Sequence, residues 1–257
     1  MRTVRQSLKG SLVAAGCLAA VISFPSVRAE EQAPEPKAPG GLFTELFVGE
    51  KLYSAERGEW NLVGAASYGE ATHEKEFELS GELIYALTDQ IQLSGEIPLV
   101  HVDTDEGSHT GPGDVSFAVN WNFWQRPNVA FGVRSEFDFP TGDEKRDLGG
   151  GQFVWAPALL SGFRFGDAEI YASIGAAFGD AGDSFFTYSL AGAYPWRQFI
   201  GLIELTGESG SGVDVLYFTP GVYWVPNEKW QVGFGVPIGV TSDSDDYRIV
   251  FKLIYEF

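Results

Sequence analysis

The chain has 257 residues and a formal net charge of −18, from 17 Lys and Arg against 35 Asp and Glu. That balance excludes a nucleic-acid partner, because phosphate binding needs clustered basic side chains. The 20 Phe, 10 Tyr and 7 Trp exclude a disordered chain, and the lone Cys17 excludes an internal disulfide and any cysteine-based metal site.

The chain opens with Arg2, Arg5 and Lys9, followed by an apolar run of 13 residues at 12–24. Val27 and Ala29 then occupy the small-residue positions that precede a cut. This pattern predicts a secretory signal peptide over residues 1–29. The run is too short for a membrane-spanning helix, which needs about 20 residues. A lipoprotein signal through Cys17 fits less well, because the apolar run continues past it. Cleavage removes Arg2, Arg5, Lys9 and Arg28, leaving 13 basic residues against 35 acidic ones, net −22.

Residues 30–57 are predicted to be a Pro/Glu-rich periplasmic leader, opening with the tether EEQAPEPKAPGG. Leu42, Phe43, Leu46 and Phe47 recur at helical spacing within it. Three readings are open for that stretch: a plug in a pore, a turn resting on the membrane surface, or a plain ordered leader.

From Trp60 onward the apolar period is two. Tyr247, Ile249, Phe251, Leu253, Tyr255 and Phe257 share one face of a terminal segment, and Arg248, Lys252 and Glu256 share the other. Phe77, Leu79 and Leu83 oppose Glu76, Glu78 and Glu82 in the same way. Alternate side chains point to opposite faces of a strand, so each segment has one apolar and one polar face. The segments run to about 11 residues where soluble strands average 5 to 6, and a tilted membrane strand needs 9–11.

Twelve such strands are predicted, at 59–69, 75–87, 90–101, 114–124, 128–139, 152–165, 168–178, 184–194, 198–208, 213–224, 230–240 and 246–257. The connectors alternate between tight turns, such as 88–89 and 166–167, and longer or acidic loops, such as 103–113 and 140–151. Short periplasmic turns and longer outer loops are the pattern of an outer-membrane barrel, and an even strand count lets it close. Six of the seven tryptophans fall near the short-turn side, as an interfacial belt requires. The predicted fold is therefore all-β: a transmembrane antiparallel up-and-down β-barrel over residues 58–257, in the outer membrane of a Gram-negative bacterium.

On this parity Arg134, Glu136 and Asp138 point into the barrel from one strand. Arg164 and Glu169 follow from the next two, with Glu96, Glu204, Arg248 and Lys252 completing a mixed-sign interior. These nine are the candidate lumen-lining residues. Two readings are open: the charges line a water-filled constriction that selects what passes, or they pair and close the lumen as a polar core. Leu160, Leu216 and Phe218 are also expected to face inward.

At 111–123 the sequence reads GPGDVSFAVNWNF, and at 136–151 EFDFPTGDEKRDLGGG. A Gly-Asp strand start, then a strand ending in Pro-Thr-Gly-Asp and a glycine-rich loop, resembles the outer-membrane transporters grouped as the meta-pathway phenol-degradation family. Gly58-Glu59-Trp60 and the terminal Tyr255-Glu256-Phe257 also fit. The resemblance covers about 58–257 and implies a β-barrel that takes up aromatic or other hydrophobic compounds. It implies no catalytic motif.

No catalytic, cofactor or metal site is expected. His73, His101 and His109 fall on or near outer loops, and His101, though outward-facing, is expected opposite about Glu76 rather than a serine. The acidic stretches 103–107 and 243–246 lack the later ligands of a calcium loop and read as solvated loops. The expected partners are outer-membrane lipid, lipopolysaccharide and a small-molecule solute, with no nucleic acid. The oligomeric state and the identity of the solute are left open.

Overall fold

Strand follows strand from Trp60 to Glu256 in the computed structural model, which describes residues 46–49, 52, 56–71, 74–105, 107–210 and 212–257. The predicted signal peptide, most of the predicted leader (with Leu42 and Phe43) and His73 lie outside the described residues. The strands are β1 (Trp60–Ala71), β2 (Glu74–Ala86), β3 (Ile91–Thr104), β4 (Gly107–Pro112), β5 (Val115–Arg126), β6 (Val129–Phe139) and β7 (Val154–Phe165). They continue with β8 (Ala168–Gly179), β9 (Ser184–Trp196), β10 (Phe199–Gly210), β11 (Val213–Asn227), β12 (Trp230–Gly235), β13 (Ile238–Gly239) and β14 (Tyr247–Glu256).

These pieces make twelve staves. β4 and β5 pair with the upper and lower parts of β3 and are halves of one stave, interrupted at Gly113 and Asp114. β12 and β13 both pair with β11 and β14, interrupted at Val236 and Pro237. Proline has no N–H to give to a ladder, which explains the second break. All neighbours are antiparallel, and β14 closes the ring on β1, from Asn61 opposite Glu256 to Glu70 opposite Tyr247. Closure pairs the edge that an open sheet would leave bare, as a wall in lipid requires.

The two faces of the wall differ sharply. Ile97 is 66% exposed and Ile203 58%, with Leu79, Leu159, Ile174 and Phe251 also on the outside. A soluble monomer rarely carries large contiguous apolar patches, and here the apolar belt runs round the whole cylinder. Trp60, Trp121, Trp124, Trp196, Trp224 and Trp230 are exposed toward the short-turn end, and Trp155 toward the other. Among the described residues no helix is long and apolar enough to cross a membrane; the strands cross it. The protein is an outer-membrane β-barrel.

The predicted strands coincide with the observed ones to within a few residues, apart from two places. The outer connector 103–113 is largely strand, because β3 runs on to Thr104 and β4 pairs back along it. Leu216 and Phe218 face outward, not into the lumen: they sit opposite Gly207 and Leu205, while Tyr217 and Thr219 between them are buried inside. Leu160 does face inward and is buried.

Candidate functional site in the barrel lumen

The short-turn half of the lumen is filled. Inward apolar side chains from opposite walls, among them Val63, Ile84, Tyr171, Ile200 and Ile254, form one buried cluster with Leu46, Phe47 and Leu52. Segment 46–49 thus lies inside the barrel rather than beneath it, as a bend and not a helical turn. It is held by charge-assisted hydrogen bonds, which are the stronger kind. The Glu204 carboxylate accepts from the backbone N–H of Phe47 at 2.6 Å and from those of Val48 and Gly49 at 3.0 Å each. The Lys252 Nζ donates to the Leu46 carbonyl at 2.8 Å. The Phe47 ring stacks on Tyr223, with centroids 4.8 Å apart.

That ring fits only because glycines stand opposite it. A Cβ on Gly221 would come within 2.2 Å of Phe47 Cε2, and one on Gly235 within 2.6 Å of Phe47 Cγ. Both are strand positions on the inner face, so these glycines serve close approach rather than a turn.

Above this floor the interior is polar. Glu82 faces Glu96 across β2 and β3, and Glu78 lies two inward positions higher on the same wall, beyond Ser80. All three are buried. On β6, Arg134 Nη2 lies 3.6 Å from Glu136, and its Nη1 donates to Asn120 at 3.1 Å. Asp138 stands next on that face, also buried. Arg164 pairs with Glu169 at 2.8 Å near the β7–β8 turn, and Glu169 also accepts from the Tyr171 hydroxyl. Arg248, near the outer end, lies 2.5 Å from Asp245 and 3.6 Å from Glu76. The structure therefore places the nine candidate residues on the inner face, at several heights rather than in one ring. Arg134, Arg164 and Arg248 are engaged with carboxylates, and Glu204 and Lys252 are engaged with segment 46–49.

Between the floor and the outer mouth, β6 to β11 line a small chamber of about 60 Å³, partly open to solvent. Val48 and Gly49 form its base, and Glu136, Asp138, Thr206, Glu208 and Tyr217 are among its polar lining.

The outer mouth is narrowed by loop 140–151, which is tied down by the two glycine-rich motifs. Asp114 accepts from the N–H of Gly142 at 2.8 Å and of Gly150 at 2.6 Å. The Thr141 hydroxyl donates to Gly113 O at 3.0 Å and accepts from Val115 N at 2.9 Å. Leu148 is thereby buried against Val100 and Val102 on the inner face of β3. Each hydrogen bond to a charged group contributes about 1.5–3 kcal/mol. Asp114→Ala is expected to release the loop that carries the exposed Lys145 and Arg146 and let it fit a protease cleft, raising the trypsin cleavage rate of the folded protein roughly tenfold. Time-resolved proteolysis in detergent checks this, with unchanged cleavage as the contrary result.

His101 is on the outer hairpin, opposite Phe77 on one side and Thr110 on the other. Its Nδ1 lies 2.7 Å from Thr110 Oγ1, and Ser108 Oγ is 3.5 Å from its Nε2. The serine is thus nearer than the sequence suggested, because β4 folds back along β3. The separation is still beyond the 2.6–3.2 Å that activates a nucleophile. Asp243 caps a loop by accepting from Asp214 N at 3.1 Å.

Among solved structures, the barrel is similar to an outer-membrane channel from Pseudomonas putida F1 at a TM-score of 0.63, with 14% identity over 79% of this chain and 97% of that one. It is also similar to the KdgM porin (TM-score 0.58, 8% identity, 77% and 99% covered) and the NanC porin (TM-score 0.56, 11% identity, 76% and 98% covered). No curated protein matches the sequence. Residues 49–248 match the family model described as "Putative MetA-pathway of phenol degradation", and the chain belongs to that family.

Proposed function

We propose that this protein is a passive outer-membrane channel for small solutes, aromatic or apolar compounds among them, with no catalysis of its own. The observation that carries the reading is the division of the lumen. A polar chamber lies on the outer side, and beneath it a short segment is held by side-chain latches rather than built into the wall. A solute entering from outside meets loop 140–151, then the chamber, then segment 46–49. The family's association with phenol degradation, and a similar structure named as a channel, support this reading. The apolar outer belt meets lipid, and the acidic outer loops lie where divalent cations bridge lipopolysaccharide.

The second reading is a structural or binding barrel with a filled lumen, and the buried position of Leu46, Phe47 and Leu52 favours it. Purified protein in planar bilayers and solute-loaded liposomes separates the two. The channel reading expects conductance and uptake that increase when segment 46–49 is unlatched. Absence of both, in the native protein and in an unlatched variant, overturns it.

A further inference from the structure

We propose that the seat of the Phe47 ring is a binding site for an uncharged single-ring aromatic molecule carrying a hydroxyl, and that a solute taking this seat frees segment 46–49. The site rests on the channel reading above and deepens it, since it names the solute that opens the lumen and the place where it binds.

The seat is shaped for a flat ring. Phe47 is buried, and its ring lies 12° from parallel with that of Tyr223. The rest of the seat is bare backbone at Gly221 on β11 and Gly235 on β12, which stand opposite each other. Tyr223 is held flat in turn by Gly233, where a Cβ would come within 2.2 Å of Tyr223 Cε1. An aromatic face beside two positions without a Cβ admits a planar ring and excludes a puckered one of the same carbon number. The seat belongs to the buried apolar cluster with Ile254 and Tyr171, so an ion placed there would lose its hydration without return.

The ring now in the seat is exchangeable. The polar ties of the segment run through its backbone, from Phe47, Val48 and Gly49 to Glu204 and from Leu46 to Lys252. Phe47 itself contributes a benzyl group, which a free solute can match. The segment competes at the effective concentration its chain connection gives, roughly millimolar for a short flexible link.

A second observation points to a ligand with a hydroxyl. Thr219 stands on the inner face two residues from Gly221 and directly opposite Glu204. It is fully buried, and its Oγ1 has no hydrogen-bond partner among the described residues. A buried hydroxyl without a partner costs free energy, and a ligand that bonds to it removes that cost. The benzyl group of Phe47 offers Thr219 nothing. A solute hydroxyl bonds to it, and can also donate to Glu204 once the N–H groups of the segment have left.

The test uses the full folded barrel in liposomes, carrying Val48→Cys as a reporter on the segment. Its labelling by a water-soluble maleimide measures release. The probes are toluene, benzyl alcohol and cyclohexylmethanol. Benzyl alcohol is expected to speed labelling at a half-saturating concentration about fivefold below that of toluene, the ratio that one net hydrogen bond gives. Cyclohexylmethanol, with the same hydroxyl on a puckered ring, is expected to have no effect. Thr219→Val is expected to bring benzyl alcohol back to the level of toluene. Phe47→Leu, a poorer internal competitor, is expected to lower the half-saturating concentration of benzyl alcohol several-fold. Equal acceleration by benzyl alcohol and cyclohexylmethanol overturns the proposal, as does no acceleration by either. So does a Phe47→Leu variant with an unchanged half-saturating concentration. Heat-modifiable migration on gels reports folding. If Thr219→Val fails to fold, the probe ranking and Phe47→Leu decide the matter. Bilayer current is recorded separately with the same probes. Release without any current supports the site and overturns the channel reading, whereas current without release by benzyl alcohol overturns the site alone.

Discussion

Replacing Glu204 by alanine is expected to raise the single-channel conductance several-fold. The carboxylate accepts three consecutive backbone N–H groups of segment 46–49, at 2.6, 3.0 and 3.0 Å, from a position more than 150 residues away in sequence. Without it, those donors must find water or remain unsatisfied in the filled half of the lumen. If the latch contributes about 3 kcal/mol net, the ratio of seated to displaced segment falls roughly 100-fold. Glu204→Gln should be intermediate, because the amide keeps a neutral acceptor of the same shape but loses the charge. The Lys252 bond to the Leu46 carbonyl and the stacking of Phe47 on Tyr223 act on the same segment, so the glutamate is not its sole tether. Planar-bilayer recording with all three proteins at matched insertion decides it. Equal conductance in native, Gln and Ala forms would show that the segment does not control the path.

Much of the barrel is legible in sequence because a membrane wall enforces period two over long strands. Phe77, Leu79 and Leu83 must meet lipid, and Glu78, Ser80 and Glu82 cannot, so the alternation fixes both the strand and its facing. The rule fails where both faces are apolar. Val215 to Phe218 reads Val-Leu-Tyr-Phe, and nothing in that run says that Tyr217 rather than Leu216 faces inward. The pairing with β10 decides it. The outer hairpin was hidden for the opposite reason. Ser108, His109 and Thr110 stand outside lipid and have no apolar face to mark, yet β3 supplies a ladder for them.

The seating of segment 46–49 was not legible, although its parts were. Leu46 and Phe47 stood out as apolar residues in a polar leader. Glu204 stood out as an inward carboxylate, whereas the role of Gly221, Gly233 and Gly235 emerges only from the structure, which puts them on the inner face. What joins them is a contact between the leader and strands far along the chain, which no local period encodes. Inner-face glycines opposite one another on neighbouring strands are the available signal: they leave a notch that some side chain must fill. The motif loop at the mouth behaves in the same way. The resemblance of 111–114 and 140–143 to a family pattern was visible, but not that Asp114 of the first motif holds Gly142 of the second.

A cysteine pair at Gly49 and Ser189 is expected to lock the segment in place and make conductance respond to reductant. A Cβ on Gly49 would lie 3.4 Å from Ser189 Cβ, close to the spacing of about 3.5–4.5 Å that a disulfide spans. The same added Cβ lies 3.1 Å from Leu46 Cδ1, the end of a flexible side chain that can yield. The background is clean, because the only native cysteine, Cys17, lies in the predicted signal peptide. The pair is best built on Glu204→Ala, where the segment is otherwise released. Oxidation should then return the conductance to the native level or below, and reductant should restore the higher value, while neither single cysteine responds. A pair that will not oxidise in the folded barrel would place the segment elsewhere. A disulfide that forms without changing the current would mean that solutes pass beside the segment rather than through the space it fills. Only a seated segment in the conducting path gives a current that follows the redox state of this pair.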